Sequence, residues 1–247
     1  MISDNYSNLS WLYDKIHSGK DYASEAGYIV NCADRHGDYS KVGRILDFGC
    51  GTCSHIEHLA SNKLCVGVDT SESMLEIARA KQIKNLKLYN CDISNLVGVE
   101  KFDMCISMFH VINHVHTLRE LETIFSSIGG LLRPGSLFMF DCFNAVAAFR
   151  DPPRDRAATI KIDNEDFSYL SRCDLDLMNS YFTMSNALSS EESKYEHNLR
   201  QTLWTPKVIH ELLYSSGFKL INIYKNFTFE EAGHEDYKIF FVARKVA

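Results

Sequence analysis

The chain has 247 residues, 45% of them hydrophobic, four prolines and a formal net charge of −6 at pH 7. That length accommodates one α/β domain with insertions and a large core. The composition excludes a disordered or low-complexity chain, and the acidic balance gives no general attraction to nucleic acid. No apolar run approaches the roughly 18 residues of a membrane span, and the polar opening Met1–Asn8 does not read as a signal peptide. A cytoplasmic protein without a membrane partner is expected. The eight cysteines fall largely inside apolar segments, where a thiol behaves as a small hydrophobe. Cys50 and Cys53 form a C-x-x-C pair, but no second pair supplies further ligands, so no metal is expected.

In chain order, Leu9, Leu12, Tyr13 and Ile16, then Tyr22, Ala26, Ile29 and Val30, recur at helical spacing. They predict helix over 9–35, broken at Gly19. Next comes Ile45-Leu-Asp-Phe-Gly-Cys-Gly-Thr-Cys53, an apolar run that ends in an acid and two glycines. The next strand, Leu64–Val68, stops at Asp69, and a third, Leu86–Asn90, is followed by Cys91-Asp92-Ile93. Carboxylates thus stand at the ends of three successive strands. Such an edge suits a nucleoside-bearing cofactor bound across the carboxyl end of a parallel sheet. Glycine at 49 and 51 would let the backbone approach that ligand, and Asp69, about twenty residues past the glycines, is placed to grip a ribose diol.

A dinucleotide fits less well. Ser54 stands where its fingerprint needs a third glycine, and the anionic Asp47 beside a pyrophosphate is electrostatically wrong. The same acid suits a cofactor that carries cations, a sulfonium and an amino group. Further on, Phe102–Phe109 reads as a fourth strand and Leu131–Asp141 as a turn and fifth strand, with helices over Glu72–Lys81 and Thr117–Leu132. The pattern then changes to period two: Thr159–Ile162, Phe167–Asp174, Leu177–Met184 and Tyr195–Leu203 read as strands, separated by turns at 163–165 and 189–192. A helix over Pro206–Ser216, a stop at Gly217, and strands over Lys219–Phe229 and Tyr237–Lys245 complete the chain.

Asp47-Phe-Gly49-Cys-Gly51, the run Val66–Leu75, Cys91-Asp92-Ile93 and the fourth and fifth strands together resemble the motifs of class I S-adenosylmethionine-dependent methyltransferases over about residues 40–145, with Cys53 replacing the last glycine of motif I. The resemblance implies a Rossmann-like, doubly wound seven-stranded sheet with an antiparallel β insertion before the last helix. It implies a single domain over 1–247, with a helical cap at 1–38 lying over the cofactor and a substrate lid at 150–204. S-adenosyl-L-methionine would be held by Tyr22, Asp47, Gly49, Gly51, Asp69, Thr70, Met74, Cys91, Asp92, Ile93 and Met108, with Asp69 on the ribose, Met74 near the adenine and Asp92 accepting from the exocyclic amine.

Leu12-Tyr13-Asp14 followed by Gly19-Lys20-Asp21-Tyr22 resembles a segment of bacterial N-methyltransferases that dimethylate nucleotide-linked amino sugars. In that family the loop after the fourth strand reads Met-Phe-Ser-Ser-Ile-Gly-His; here it is Met108-Phe-His-Val-Ile-Asn-His114. By position, His114 and Tyr13 fall on active-site residues. His114, titrating near neutrality, would take a proton from the acceptor amine while Tyr13 orients it. Phe109, Asp141, Arg154 and Arg156 are expected at the acceptor. The arginines of 150–156 suit a phosphate, or form a solvated loop neutralised by the neighbouring aspartates. His110 and His114 stand four apart, as metal ligands on a helix would, without a third ligand. O-methylation of a sugar, a phosphorylated metabolite or another small molecule remains open, as does a non-catalytic binder of the cofactor. The β insertion offers a surface for a homodimer.

Overall fold

The computed structural model describes residues 10–17, 19–162, 165–190 and 193–246. The expectations for Met1–Leu9, for the turn residues Asp163 and Asn164, and for Glu191 and Glu192 lie outside them.

Two helices, α1 (Ser10–Ile16) and α2 (Tyr22–His36), precede the first strand, β1 (Arg44–Phe48). A short α3 (Ile56–Leu59), β2 (Leu64–Asp69), α4 (Glu72–Ala80), β3 (Leu86–Asn90) and β4 (Phe102–Ser107) follow, then α5 (Leu118–Leu131) and β5 (Leu132–Phe143). After α6 (Ala145–Arg150) come four long strands, β6 (Arg156–Ile162), β7 (Glu165–Asp176), β8 (Tyr181–Ser189) and β9 (Lys194–Thr202). The chain closes with α7 (Pro206–Ser215), β10 (Phe218–Lys225) and β11 (Lys238–Lys245).

The strands form a seven-stranded sheet in the order β10-β11-β5-β4-β1-β2-β3, and a separate meander β6-β7-β8-β9. In the large sheet β11 alone runs antiparallel to both its neighbours. This is the expected class I methyltransferase architecture, insertion included. Its central strands are continuous apolar runs because helices cover both faces. On one face Phe125, Phe138, Phe140, Phe218 and Phe241 are each at most 1% exposed, and Phe140 stacks on Phe241 with centroids 4.9 Å apart. Truncating one of these rings to alanine should remove about 3–5 kcal/mol of stability.

Local chemistry sets the ends. Thr117 and Glu120 make a capping box that starts α5, and Thr205 caps α7 ahead of Pro206. Gly217 follows α7 where expected. The third strand of the meander departs from expectation: it begins at Tyr181, because Leu177–Ser180 form the turn. Asp176 accepts the Asn179 N–H at 2.9 Å there, and Ser180 takes a left-handed φ of 55°. Leu177 and Met178, apolar but 60% and 93% exposed, lie in that turn although they read as strand.

The meander is joined to the large sheet on one side by Phe182 and Leu203, which pack on Ala145 and Ala148 of α6. On another side Ile162, Phe167 and Leu188 pack against Ile16 of α1. Helix α1 therefore contacts both the meander and, through Asp14, the α4 side of the large sheet.

Candidate active site

The carboxyl edge of β1 and β2 carries the first half of the site. Asp69, at the end of β2, accepts the Gly51 N–H at 2.8 Å on one oxygen and the Ser71 N–H at 2.9 Å on the other. Its carboxylate thus ties the glycine turn to the start of α4. The two glycines are required for different reasons. At Gly49, φ is +71° and a Cβ would meet Val111 at 2.5 Å, so what excludes a side chain is the loop after β4. At Gly51, φ is +51° and a Cβ would meet nothing within 4 Å, so the backbone there faces open space.

Asp47, Gly49, Gly51, Thr52, His55 and Met108 line a groove at this edge, together with Tyr22, Tyr13 and Phe109. Asp47 is 3% exposed, and among the described residues it has neither a hydrogen bond nor an ion pair. Burial, with a smaller contribution from the Asp69 charge, pushes its carboxyl up to about 8. A buried acid without a partner is a site for a cation. Together with the open space over Gly51, it fits a cofactor that carries positive charge close to a backbone turn.

His55, which the motifs did not single out, orients this wall. Its Nε2 lies 2.7 Å from Glu25, which also pairs with Lys20 at 3.0 Å, and its ring meets Tyr22 edge-on at 5.0 Å. Helix α1 is anchored over the same turn. The Thr52 hydroxyl donates to Asp14 at 2.7 Å, and Lys81, the residue that follows α4, reaches Asp14 at 3.0 Å and Ser54 at 2.9 Å.

Not every expected cofactor residue lines the groove. Asp92 caps the 3₁₀ turn Ile93–Asn95 by accepting the Ser94 N–H at 3.0 Å, and lines a separate cavity of about 200 Å³ with Arg119 and Glu120. Thr70 and Cys91 are half-buried, while Met74 and Ile93 are buried.

The loop after β4 carries the second half. Phe109 and His110 both adopt left-handed backbone, φ 71° and 62°, which costs of order 1–3 kcal/mol per residue. Asp141 opposes that strain. One oxygen accepts the His110 N–H at 3.1 Å; the other lies 3.0 Å from His110 Nδ1, close enough for an ion pair though off the line of a hydrogen bond. Burial raises the Asp141 carboxyl, but the His110 ring and N–H and the Lys20 charge outweigh it and hold the group at about 2. Asp141 is 1% exposed and lines neither cavity, so the expectation of a substrate contact is corrected: it is a support for the loop. The His110 ring lies 4.1 Å from that of Phe143, centroid to centroid. Asn113 clamps the loop from the far side, accepting the Phe143 N–H at 2.9 Å and donating to Thr202 O at 2.7 Å.

Between this loop and the meander lies a cavity of about 270 Å³. Tyr13, His17, Phe109, His110, His114 and Phe143 line it from one side, Tyr169, Met184, Tyr195, His197 and Gln201 from the meander, with Arg156 and Lys238 also facing it. Tyr13 and Phe109 line both the groove and this cavity. Burial above all, with the His110, His116 and His197 charges, brings His114 down to about 4; the Gln201 amide nitrogen stands 3.0 Å from its Nε2. His114 is therefore a neutral imidazole at neutral pH, which corrects the expectation of a residue titrating near 7. Arg154 does not reach the cavity. It pairs with Asp151 at 3.2 Å with 84% of its side chain exposed, and Arg150 pairs with Glu235 at 2.9 Å; of the three arginines only Arg156 lines the cavity. Among the described residues no cluster of three metal-ligating side chains is present.

Residues 45–135 match the family described as "Methyltransferase domain". The chain carries a methyltransferase domain. A protein of Geobacillus sp. (strain WCH70), provisionally named a methyltransferase, is 28% identical over 97% of this chain and 99% of its own. The dTDP-3-amino-3,4,6-trideoxy-alpha-D-glucopyranose N,N-dimethyltransferase of Streptomyces venezuelae is 31% identical, over 50% of this chain and 51% of its own. The solved S-adenosylmethionine-dependent methyltransferase of Clostridium acetobutylicum superposes with a TM-score of 0.81 at 20% identity, covering 98% of this methyltransferase and 99% of that chain. None of the described helices of the methyltransferase is long and apolar enough to cross a membrane.

Proposed function

We propose that the methyltransferase N-methylates a small amino compound, an amino sugar carried on a nucleotide, bound in the 270 Å³ cavity between the loop after β4 and the meander. The observation that supports this most is that Tyr13 and Phe109 line both the groove and the cavity. When bound, S-adenosylmethionine supplies the electrophilic sulfonium methyl. In this reading Asp47 offsets the cofactor's positive charge, Asp69 holds the ribose, Gly51 admits the backbone approach, and Tyr22 and Met108 close the groove. Asp92 with Cys91, and Thr70 with Met74, belong to the nucleoside end. Helix α1 and the meander act as cap and lid, keeping water from the reacting atoms.

Methyl transfer requires a neutral amine. His114, held near 4, is too weak a base to carry off an ammonium proton or a hydroxyl proton. Its role is to orient the nucleophile as a hydrogen-bond partner, with Tyr13 opposite. Amines lose their proton to water at mildly alkaline pH, whereas sugar hydroxyls do not, so the same observation favours nitrogen over hydroxyl oxygen. The half-length relative, named for an amino-sugar substrate, supports the same choice. A cytoplasmic setting belongs to this proposal, since all eight cysteines are free thiols.

The test is mass-spectrometric product detection with methyl-labelled S-adenosylmethionine against nucleotide-linked amino sugars and their hydroxyl counterparts. One or two methyl groups on the amines alone is the expected result. Methylation of the hydroxyl compounds, or of neither set, would overturn the assignment.

A further inference from the structure

Arg156 and Lys238, both exposed, face the 270 Å³ cavity, and among the described residues neither makes an ion pair with a carboxylate. Arg150 and Arg154, six and two residues before Arg156, each pair with an acid, and Lys20 pairs with Glu25. Among the described lining residues the cavity has no aspartate or glutamate; its other polar groups are imidazoles, phenols and amides. Arg156 stands at the start of β6 and Lys238 at the start of β11, so two separate elements converge.

Resting on the reading of this cavity as the acceptor site, we infer that the methyl acceptor carries an acidic group, a phosphate or a carboxylate, held by Arg156 and Lys238 while its nucleophile reaches Tyr13 and Phe109. A planar guanidinium can grip such an anion in two places and an ammonium adds a point charge. Burial lowers the Lys238 ammonium; the Lys20 and Arg156 charges act in the same sense, against Asp141 and Glu25. An anion between Arg156 and Lys238 would relieve that repulsion. It would also align the acceptor, since an anchored acid leaves the rest of the molecule little freedom to turn away from the reacting carbon. Phosphate of a nucleotide and carboxylate of an acid metabolite share this chemistry, and the experiment separates them.

The experiment is calorimetric titration of the full chain, loaded with S-adenosylhomocysteine, with thymidine diphosphate and with citrate as probes, in wild type and in Arg156→Met, Lys238→Met and Met184→Trp. We expect one probe to bind, each charge variant to weaken it at least tenfold, higher salt to weaken it further in wild type, and S-adenosylhomocysteine affinity to stay within twofold in the charge variants. Binding of thymidine diphosphate alone assigns the anion to a nucleotide; binding of citrate alone assigns it to a carboxylate. Absence of binding by both probes would overturn the inference. If Met184→Trp, which fills the cavity, abolishes binding while the charge variants do not, the cavity is the acceptor site but the anion clamp is wrong. If Met184→Trp also leaves binding intact, the placement of the acceptor in this cavity fails, and the inference with it.

Discussion

The groove at the edge of β1 and β2 and the cavity beneath the meander are built on opposite principles. Much of the groove wall is local: Asp47, Gly49, Gly51, Thr52, Ser54 and His55 lie within nine residues of chain, and Asp69 reaches back to Gly51 across one strand–helix unit. The cavity wall is assembled from Tyr13, Phe109, Phe143, Arg156, Gln201 and Lys238, residues separated by tens of positions and brought together by strand pairing and by Asn113. One half of the site is therefore a motif and the other a tertiary product. Cofactor binding should depend on a few residues with large individual effects, and acceptor binding on many with smaller ones.

The largest effect is expected from Asp69→Ala. It removes the ribose partner and both hydrogen bonds that hold the glycine turn and α4 together. Loss of charge-assisted contacts of about 1.5–3 kcal/mol each should weaken S-adenosylmethionine binding at least 100-fold by calorimetry; unchanged affinity would contradict the placement of Asp69. Asp47 gives the next effect, through pH. Its carboxyl, ordinarily near 3.8, titrates at about 8 in the folded protein. The stability it contributes is thus full below its unfolded pKa and is lost as pH rises through 8. The ligand-free Tm should fall over that range. A cationic cofactor binds the ionised form, so its affinity should rise with pH between 6 and 8, up to about tenfold per unit. Asp47→Asn should flatten both trends, and a pH-independent affinity in wild type would remove Asp47 from the cofactor's charge.

In the acceptor half, His114→Ala should leave cofactor affinity within twofold and lower turnover by about 10- to 100-fold, the scale of lost positioning. With His114 near 4, the wild-type pH–rate profile should show no inflection from this residue between pH 5.5 and 7.5. An inflection there that disappears in His114→Ala would make His114 a proton acceptor after all. The smallest effect belongs to Arg154→Ala. Its exposed pair with Asp151 should contribute about 0–1 kcal/mol to stability and nothing to turnover; a turnover loss beyond twofold would bring the arginine loop into the site.

What could be read in the sequence follows the same division. Asp47 near the end of β1, Asp69 at the end of β2, the glycine turn, the ends of α4, α5 and α7 and the presence of a four-stranded insertion are set by nearby residues, and the sequence displays them. Gly49 was legible as a required glycine, but the cause, Val111 some sixty residues later, was not. Asp141 looked available at a strand end, and only its pairing with His110 shows it to be internal. Likewise, no spacing rule connects Arg156 with Lys238 or lowers His114 through burial; both depend on how the meander folds back over the loop.

The central claim is that methyl transfer takes place where groove and cavity share Tyr13 and Phe109. It is tested most directly by nuclear Overhauser measurements on the protein bound to S-adenosylmethionine carrying a carbon-13 methyl. Contacts from that methyl to the rings of Tyr13 and Phe109, with an upfield ring-current shift that shrinks in Phe109→Leu, are the predicted result. A methyl with no contact to either ring and the same shift in both proteins would contradict the account.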